Sequence, residues 1–133
     1  MAEKEALQPQ IVKDFVGNAH GNLGRVQELL ATEPTLINAA WDWGGGDWET
    51  ALGAAAHMGR RDIAVYLLQQ GARIDLYAAA MLGHLEMVKA ILAAAPQQKD
   101  VPGPHGISLL THATKGGAEA KAVVEFLGTL ATQ

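Results

Sequence analysis

Thr50-Ala51-Leu52-Gly53-Ala54-Ala55-Ala56-His57-Met58-Gly59, continuing as Arg60-Arg61-Asp62-Ile63-Ala64-Val65-Tyr66-Leu67-Leu68-Gln69-Gln70-Gly71-Ala72-Arg73-Ile74-Asp75, reads as two short helices over about 50–58 and 60–70. Alanine and leucine, strong helix formers, fill both. Gly59 is the turn between them. Gly71 ends the second, as a residue free to take positive φ. The same pattern can be slid along the rest of the chain.

Upstream, Ile11, Val12, Phe15 and Val16 have one-face helical spacing, and Pro9 is tolerated in a first turn. A second stripe, Leu23, Val26, Leu29 and Leu30, follows the turn at Gly21 and is stopped by Pro34. Downstream, residues 76–92 repeat the pattern around Gly83. Ile107-Ser108-Leu109-Leu110-Thr111-His112-Ala113-Thr114-Lys115-Gly116 then opens a fourth copy, whose second helix spans about 119–130.

The 50–75 stretch resembles an ankyrin repeat, of the kind found in small bacterial-type ankyrin proteins. Thr50, Leu52, the alanine run, Gly59, Leu67-Leu68 and Gly71-Ala72 match the family pattern, while Ala51 and Gly53 replace its Pro and His. The resemblance implies an all-α solenoid of about four helix-turn-helix repeats with short β-hairpin or loop fingers. The expected organisation is a flexible lead-in over 1–10 and one repeat domain over 11–133, with repeats at about 11–38, 47–75, 76–96 and 105–130. Stacked repeats of this kind bury a continuous core in one dimension.

Two departures from the family period stand out. Gly21 and Gly59 are 38 positions apart, against about 33 in the family. The first connection is therefore overlong, and it holds Trp41, Trp43 and Trp48 around the turn Gly44-Gly45-Gly46. Gly59 and Gly83 are only 24 positions apart, so Asp75 must run almost directly into the next helix and the third repeat has no room for a finger. The next connection, 97–106, is stiffened by Pro102 and Pro104.

Composition limits the function classes. The net charge of −4 comes with no Lys/Arg cluster, which argues against nucleic-acid binding. The absence of cysteine removes disulfides, thiol catalysis and thiolate metal sites. The polar first ten residues lack a signal-peptide core, and no run is apolar enough to span a membrane. The expectation is a cytoplasmic protein with no membrane partner.

In the family, the two residues before each turn glycine face the concave surface. By position these are Ala19 and His20, His57 and Met58, Met81 and Leu82, and Thr114 and Lys115. An exposed apolar row overhung by Trp41, Trp43 and Trp48 would be a protein-binding face. The tryptophans could equally pack down to hold the finger. A second reading places a small-molecule or catalytic pocket in the finger gap, floored by Tyr77, Met81 and His57 and walled by Trp48, Trp41 and His105, closed and at least about 300 Å³ in volume. Candidate binding residues are thus His20, Trp41, Trp43, Trp48, His57, Met58, Tyr77, Met81, Leu82 and His105. Asp47 and Glu49 are either turn and capping residues or a general acid/base working with His57.

Of the other histidines, His84 is expected to bond the turn backbone and His112 to be a partly buried, hydrogen-bonded helix residue. No His-x-x-x-His or Glu-x-x-His pair falls on one helix, so neither a metal nor a cofactor is expected. Ser108 lacks a nucleophile-elbow context. The expected partner is a protein, with a small-molecule ligand as the alternative and a monomer or weak homodimer as the assembly.

Overall fold

Proline opens the first helix. In the computed structural model, which describes residues 4–131, α1 (Pro9–Asn18) begins at Pro9, and Val12, Phe15 and Val16 form its buried face. Residues 9 and 10 are therefore helical, not part of the lead-in expected over 1–10. Residues 1–3 of that lead-in, and 132–133 of the repeat domain, lie outside the described residues. In α2 (Leu23–Thr32) the Asn22 side chain caps the start by accepting from the Arg25 N–H, and the helix stops before Pro34, which opens a 3₁₀ turn, Pro34–Asn38.

The overlong connection folds as an antiparallel hairpin of β1 (Ala40–Asp42) and β2 (Trp48–Thr50), with Trp41 opposite Glu49 and Asp42 opposite Trp48. The three turn glycines all have positive φ, and the Asp42 carboxylate accepts from the Gly44 and Gly46 N–H groups at 2.8 and 3.0 Å. Next come α3 (Ala51–His57), α4 (Arg61–Gln69), α5 (Leu76–Leu82) and α6 (Leu85–Ala94). No finger separates α4 from α5. The connection rich in proline forms two 3₁₀ turns, Pro96–Asp100 and Pro104–Gly106, instead of a hairpin. It leads to α7 (Leu109–Lys115), a 3₁₀ turn at Gly117–Ala120, and α8 (Lys121–Ala131).

One capping rule sets the start of three helices. Thr50, Asp75 and Ser108 each accept from the N–H three residues on, at 3.0, 2.8 and 3.1 Å, which satisfies an otherwise unpaired first-turn donor of α3, α5 and α7. The result is four helix-turn-helix pairs. Their first helices stack in order, α1 on α3, α3 on α5 and α5 on α7, and each second helix packs on its own partner. The α3 and α5 alanines, 54–56 and 78–80, are fully buried; small side chains let these backbones approach closely. No helix among the described residues is long and apolar enough to cross a membrane.

This stacking corrects the expected exposure of Met81 and Leu82, which are 0% and 5% exposed. A Cβ on Gly116 would lie 2.0 Å from the Met81 carbonyl oxygen, and one on Gly83 would lie 2.1 Å from that of Glu119. The 3₁₀ turn Gly117–Ala120, which leads into α8, packs against the end of α5 and closes over the pair. The apolar concave row drawn from Met81 and Leu82 is therefore absent.

Candidate functional site

A single carboxylate organises the concave side. Glu49 lies on β2, where strand alternation turns its neighbour Trp48 outward and Glu49 inward. Glu49 is 1% exposed. The Trp43 indole N–H donates to its Oε1 at 2.9 Å. The Nε2 atoms of three histidines surround it: His20 at 3.2 Å from Oε1, His57 at 3.0 Å and His105 at 3.1 Å from Oε2. These come from the turn after α1, the last residue of α3 and the 3₁₀ turn before α7. The His57 ring centroid lies 4.9 Å from that of His20 and 5.1 Å from that of His105.

A second tier fixes the rings. His20 Nδ1 lies 2.9 Å from the Gly17 carbonyl, which accepts its proton. Asp47 holds His105 at two points: its Oδ1 accepts the His105 backbone N–H at 2.8 Å and its Oδ2 faces Nδ1 at 2.7 Å. His105 has φ of +63°, which non-glycine residues seldom adopt. The two-point grip of Asp47 compensates for that strain. Both Nδ1 atoms thus have oxygen acceptors, and both Nε2 atoms point at Glu49. The approaches of Nε2 to the carboxylate are short but not aligned as hydrogen bonds, and His57 Nε2 and Glu49 Oε2 are both buried without an aligned partner.

The electrostatics follow from burial and these neighbours. Burial alone would push the Glu49 carboxyl up, but His20, His57 and the Trp43 N–H together outweigh it and hold Glu49 well below the usual carboxylate range. The Glu49 carboxylate, against partial burial, raises His20 above the ordinary histidine value. His112 lies apart from this centre: it is fully buried, its Nδ1 donates to the Ser108 carbonyl at 2.8 Å, and burial pushes it below the ordinary histidine value.

Beside the cluster is a cleft of about 370 Å³, lined by Asp47, Trp48, Tyr77, Gly103 and Pro104 among others. It falls where the third repeat lacks a finger. It is open to solvent, unlike the closed pocket expected there. Trp48 and Tyr77 line it as expected; Met81 is buried in the core, Trp41 packs half-buried against the core, and His57 and His105 belong to the Glu49 cluster. Asp47 belongs to both sites. The Tyr77 hydroxyl donates to the Val101 carbonyl at 2.5 Å. Met58 is exposed, and His84 starts α6 without a side-chain capping bond, which corrects the turn role expected for it.

The expectation of no metal site rested on spacing within single helices. Four donors, His20, Glu49, His57 and His105, offer ligand atoms all within 4.8 Å of one another, and each comes from a different element. Asp47 and His105 are 58 positions apart, so only the fold brings them together. The sequence signals for the group were His20 and His57, one and two residues before the turn glycines of adjacent repeats, the pairing of Asp47 and Glu49 with His57 as an acid/base alternative, and His105 on the wall of the same gap.

Residues 47–78 match the ankyrin repeat family. The match runs from Asp47 in the hairpin through α3 and α4 into the first turn of α5. No curated protein matches the chain. Stacked helix pairs with a projecting hairpin define the class, a repeat solenoid. Over residues 47–78 the chain is similar to an ankyrin repeat, and its stacked helix pairs are consistent with an all-α repeat fold. Ankyrin repeats in general are protein-interaction modules, and the two sites described above lie where the finger and first helices meet.

Proposed function

We propose that this ankyrin scaffold is a binding module whose recognition centre is the cleft of the missing finger, and that the cleft takes a small ligand. The observation that supports this is the cleft itself. Its lining includes an exposed indole, Trp48 at 61%, together with Tyr77, Pro102 and Pro104, and Asp47, Thr50 and Asp75 supply the polar groups. An apolar, aromatic wall with few polar groups is the usual form of a ligand site. The test is native mass spectrometry of protein purified from its own host. A bound small molecule retained by wild type and lost in Trp48→Ala, with unchanged circular dichroism, is the expected result. Wild-type protein that carries no small molecule, and whose melting temperature no fraction of a host metabolite extract raises, would remove the reading.

A protein partner on the same side is the second reading, supported by the exposure of Met58, 48%, together with Trp48. It predicts that Met58→Ala and Trp48→Ala each weaken capture of one defined partner. Met81→Ala would not probe this face, because Met81 is buried in the core. Self-association through the same face would appear as a doubled mass in solution, lost in Met58→Ala.

A further inference from the structure

We propose that His20, Glu49, His57 and His105 form a binding site for one divalent first-row transition-metal ion, zinc(II) or a close analogue. The inference is independent of what occupies the cleft, but it rests on the same concave centre being functional.

A tetrahedral ion with arms of about 2.0–2.1 Å holds its donors roughly 3.3 Å apart. His57 and His105 Nε2 lie 3.0 and 3.1 Å from Glu49 Oε2, close to that edge length, His20 Nε2 lies 3.2 Å from Oε1, and the four donor atoms all fall within 4.8 Å of one another. These contacts do not have hydrogen-bond alignment, and Glu49 Oε2 and His57 Nε2 have no aligned partner although both are buried. For His20 and His105, the oxygens beside Nδ1 favour the tautomer with the proton there, which leaves a bare lone pair on Nε2. Bare lone pairs facing a carboxylate repel unless a cation lies between them. Protonating all three rings instead would place three imidazolium ions on two carboxylates, Glu49 and Asp47, and leave a net positive charge at the centre. A divalent ion with three neutral imidazoles and one carboxylate satisfies all four groups. The donors are nitrogen and oxygen only, which suits zinc, cobalt or iron(II) rather than soft ions. The contact of Asp47 with His105 is the carboxylate–histidine support common around such ions.

Isothermal titration with zinc chloride and visible absorption with cobalt(II) test this on chelator-treated full-length protein. One ion per chain is expected, with the intense cobalt bands of a four-coordinate N/O site. Outer-shell partners are typically worth 10–100-fold in affinity; Asp47→Ala should cost that much, and Glu49→Gln and His57→Asn at least about 100-fold. His84→Ala, outside the cluster, should bind as wild type does. Because a ligand variant could misfold, wild type also carries its own readout: zinc must shift the imidazole nitrogen resonances of His20, His57 and His105 and leave those of His84 and His112 in place. Wild type that binds no stoichiometric ion, or shifts that spare the three histidines, would overturn the site, as would unchanged affinity in a folded Glu49→Gln. Trp48→Ala separates the two proposals: it should abolish ligand retention in the cleft and leave zinc affinity unchanged. Zinc binding lost in wild type with cleft ligand retained refutes the metal site alone.

Discussion

His112 illustrates how one buried side chain links sequence to pH response. Its Nδ1 proton is held by the Ser108 carbonyl, and its Nε2 lone pair is buried with no partner. Burial therefore favours the neutral ring and lowers its folded-state value. The unfolded chain takes up this proton near the ordinary histidine value of about 6.5, whereas the folded chain resists it. Its contribution to stability is present above that value and is lost as pH falls below it. The melting temperature should drop between pH 7.5 and pH 5.5, and the drop should be smaller in His112→Leu, which has nothing to titrate at that position. An equal drop in both proteins would show that His112 does not carry the effect. His20 has the opposite sign: its raised value gives stability below about 6.5 that fades as pH rises. The comparison between wild type and variant removes that common background.

Helix starts and the finger can be tested as elements. Thr50, Asp75 and Ser108 cap successive first helices with the same geometry. Replacing any one with alanine should cost about 1 kcal/mol in urea unfolding. Asp75→Ala is the sharpest case, because the chain enters α5 with no finger to brace it. The hairpin should respond differently. Asp42→Ala releases the Gly44 and Gly46 N–H groups at the exposed tip, so hydrogen exchange should speed up there while the global midpoint moves by less than about 0.5 kcal/mol. The sequence made these elements legible. Glycine spacing revealed the overlong and missing fingers, and apolar periodicity revealed the helix pairs, because both signals are local. It missed the burial of Met81 and Leu82, since position in a repeat does not reveal that the 3₁₀ turn before α8 packs over the end of α5. It placed His20 and His57 just before the turn glycines of adjacent repeats. It set Glu49 beside His57 as one alternative and His105 on the wall of the same gap, but not the four-way meeting, which depends on how the hairpin folds back and on the φ of one residue in a proline-flanked turn.

At the scale of the whole molecule, the join between the third and fourth pairs decides whether the stack behaves as one unit. It is made by backbone against backbone. A side chain at Gly116 would meet the Met81 carbonyl oxygen at 2.0 Å and the Ala120 Cβ at 2.6 Å. Neither neighbour can swing aside as a flexible side chain would. Gly116 has φ of −72°, an ordinary helical value, so any penalty for alanine comes from space and not from backbone strain. Arg61 crosses the same join, donating to the Leu82 carbonyl at 3.1 Å and pairing with Glu119 at 3.0 Å; this pair is largely exposed and adds little. Gly116→Ala should therefore push α7 and α8 away from α5, at a cost of at least about 2 kcal/mol, in the range of overpacked cores. Gly128→Ala is the matched control. Gly128 lies in α8 with nothing within 4 Å of a Cβ, so alanine there should stabilise by about 0.5–1 kcal/mol through helix propensity. Calorimetry of the two variants reads out the join. If the stack is one cooperative unit, Gly116→Ala lowers a single transition. If the join is weaker than the other contacts, a second, earlier transition appears. Equal midpoints for Gly116→Ala and Gly128→Ala would mean that the closure over Met81 and Leu82 contributes nothing to stability.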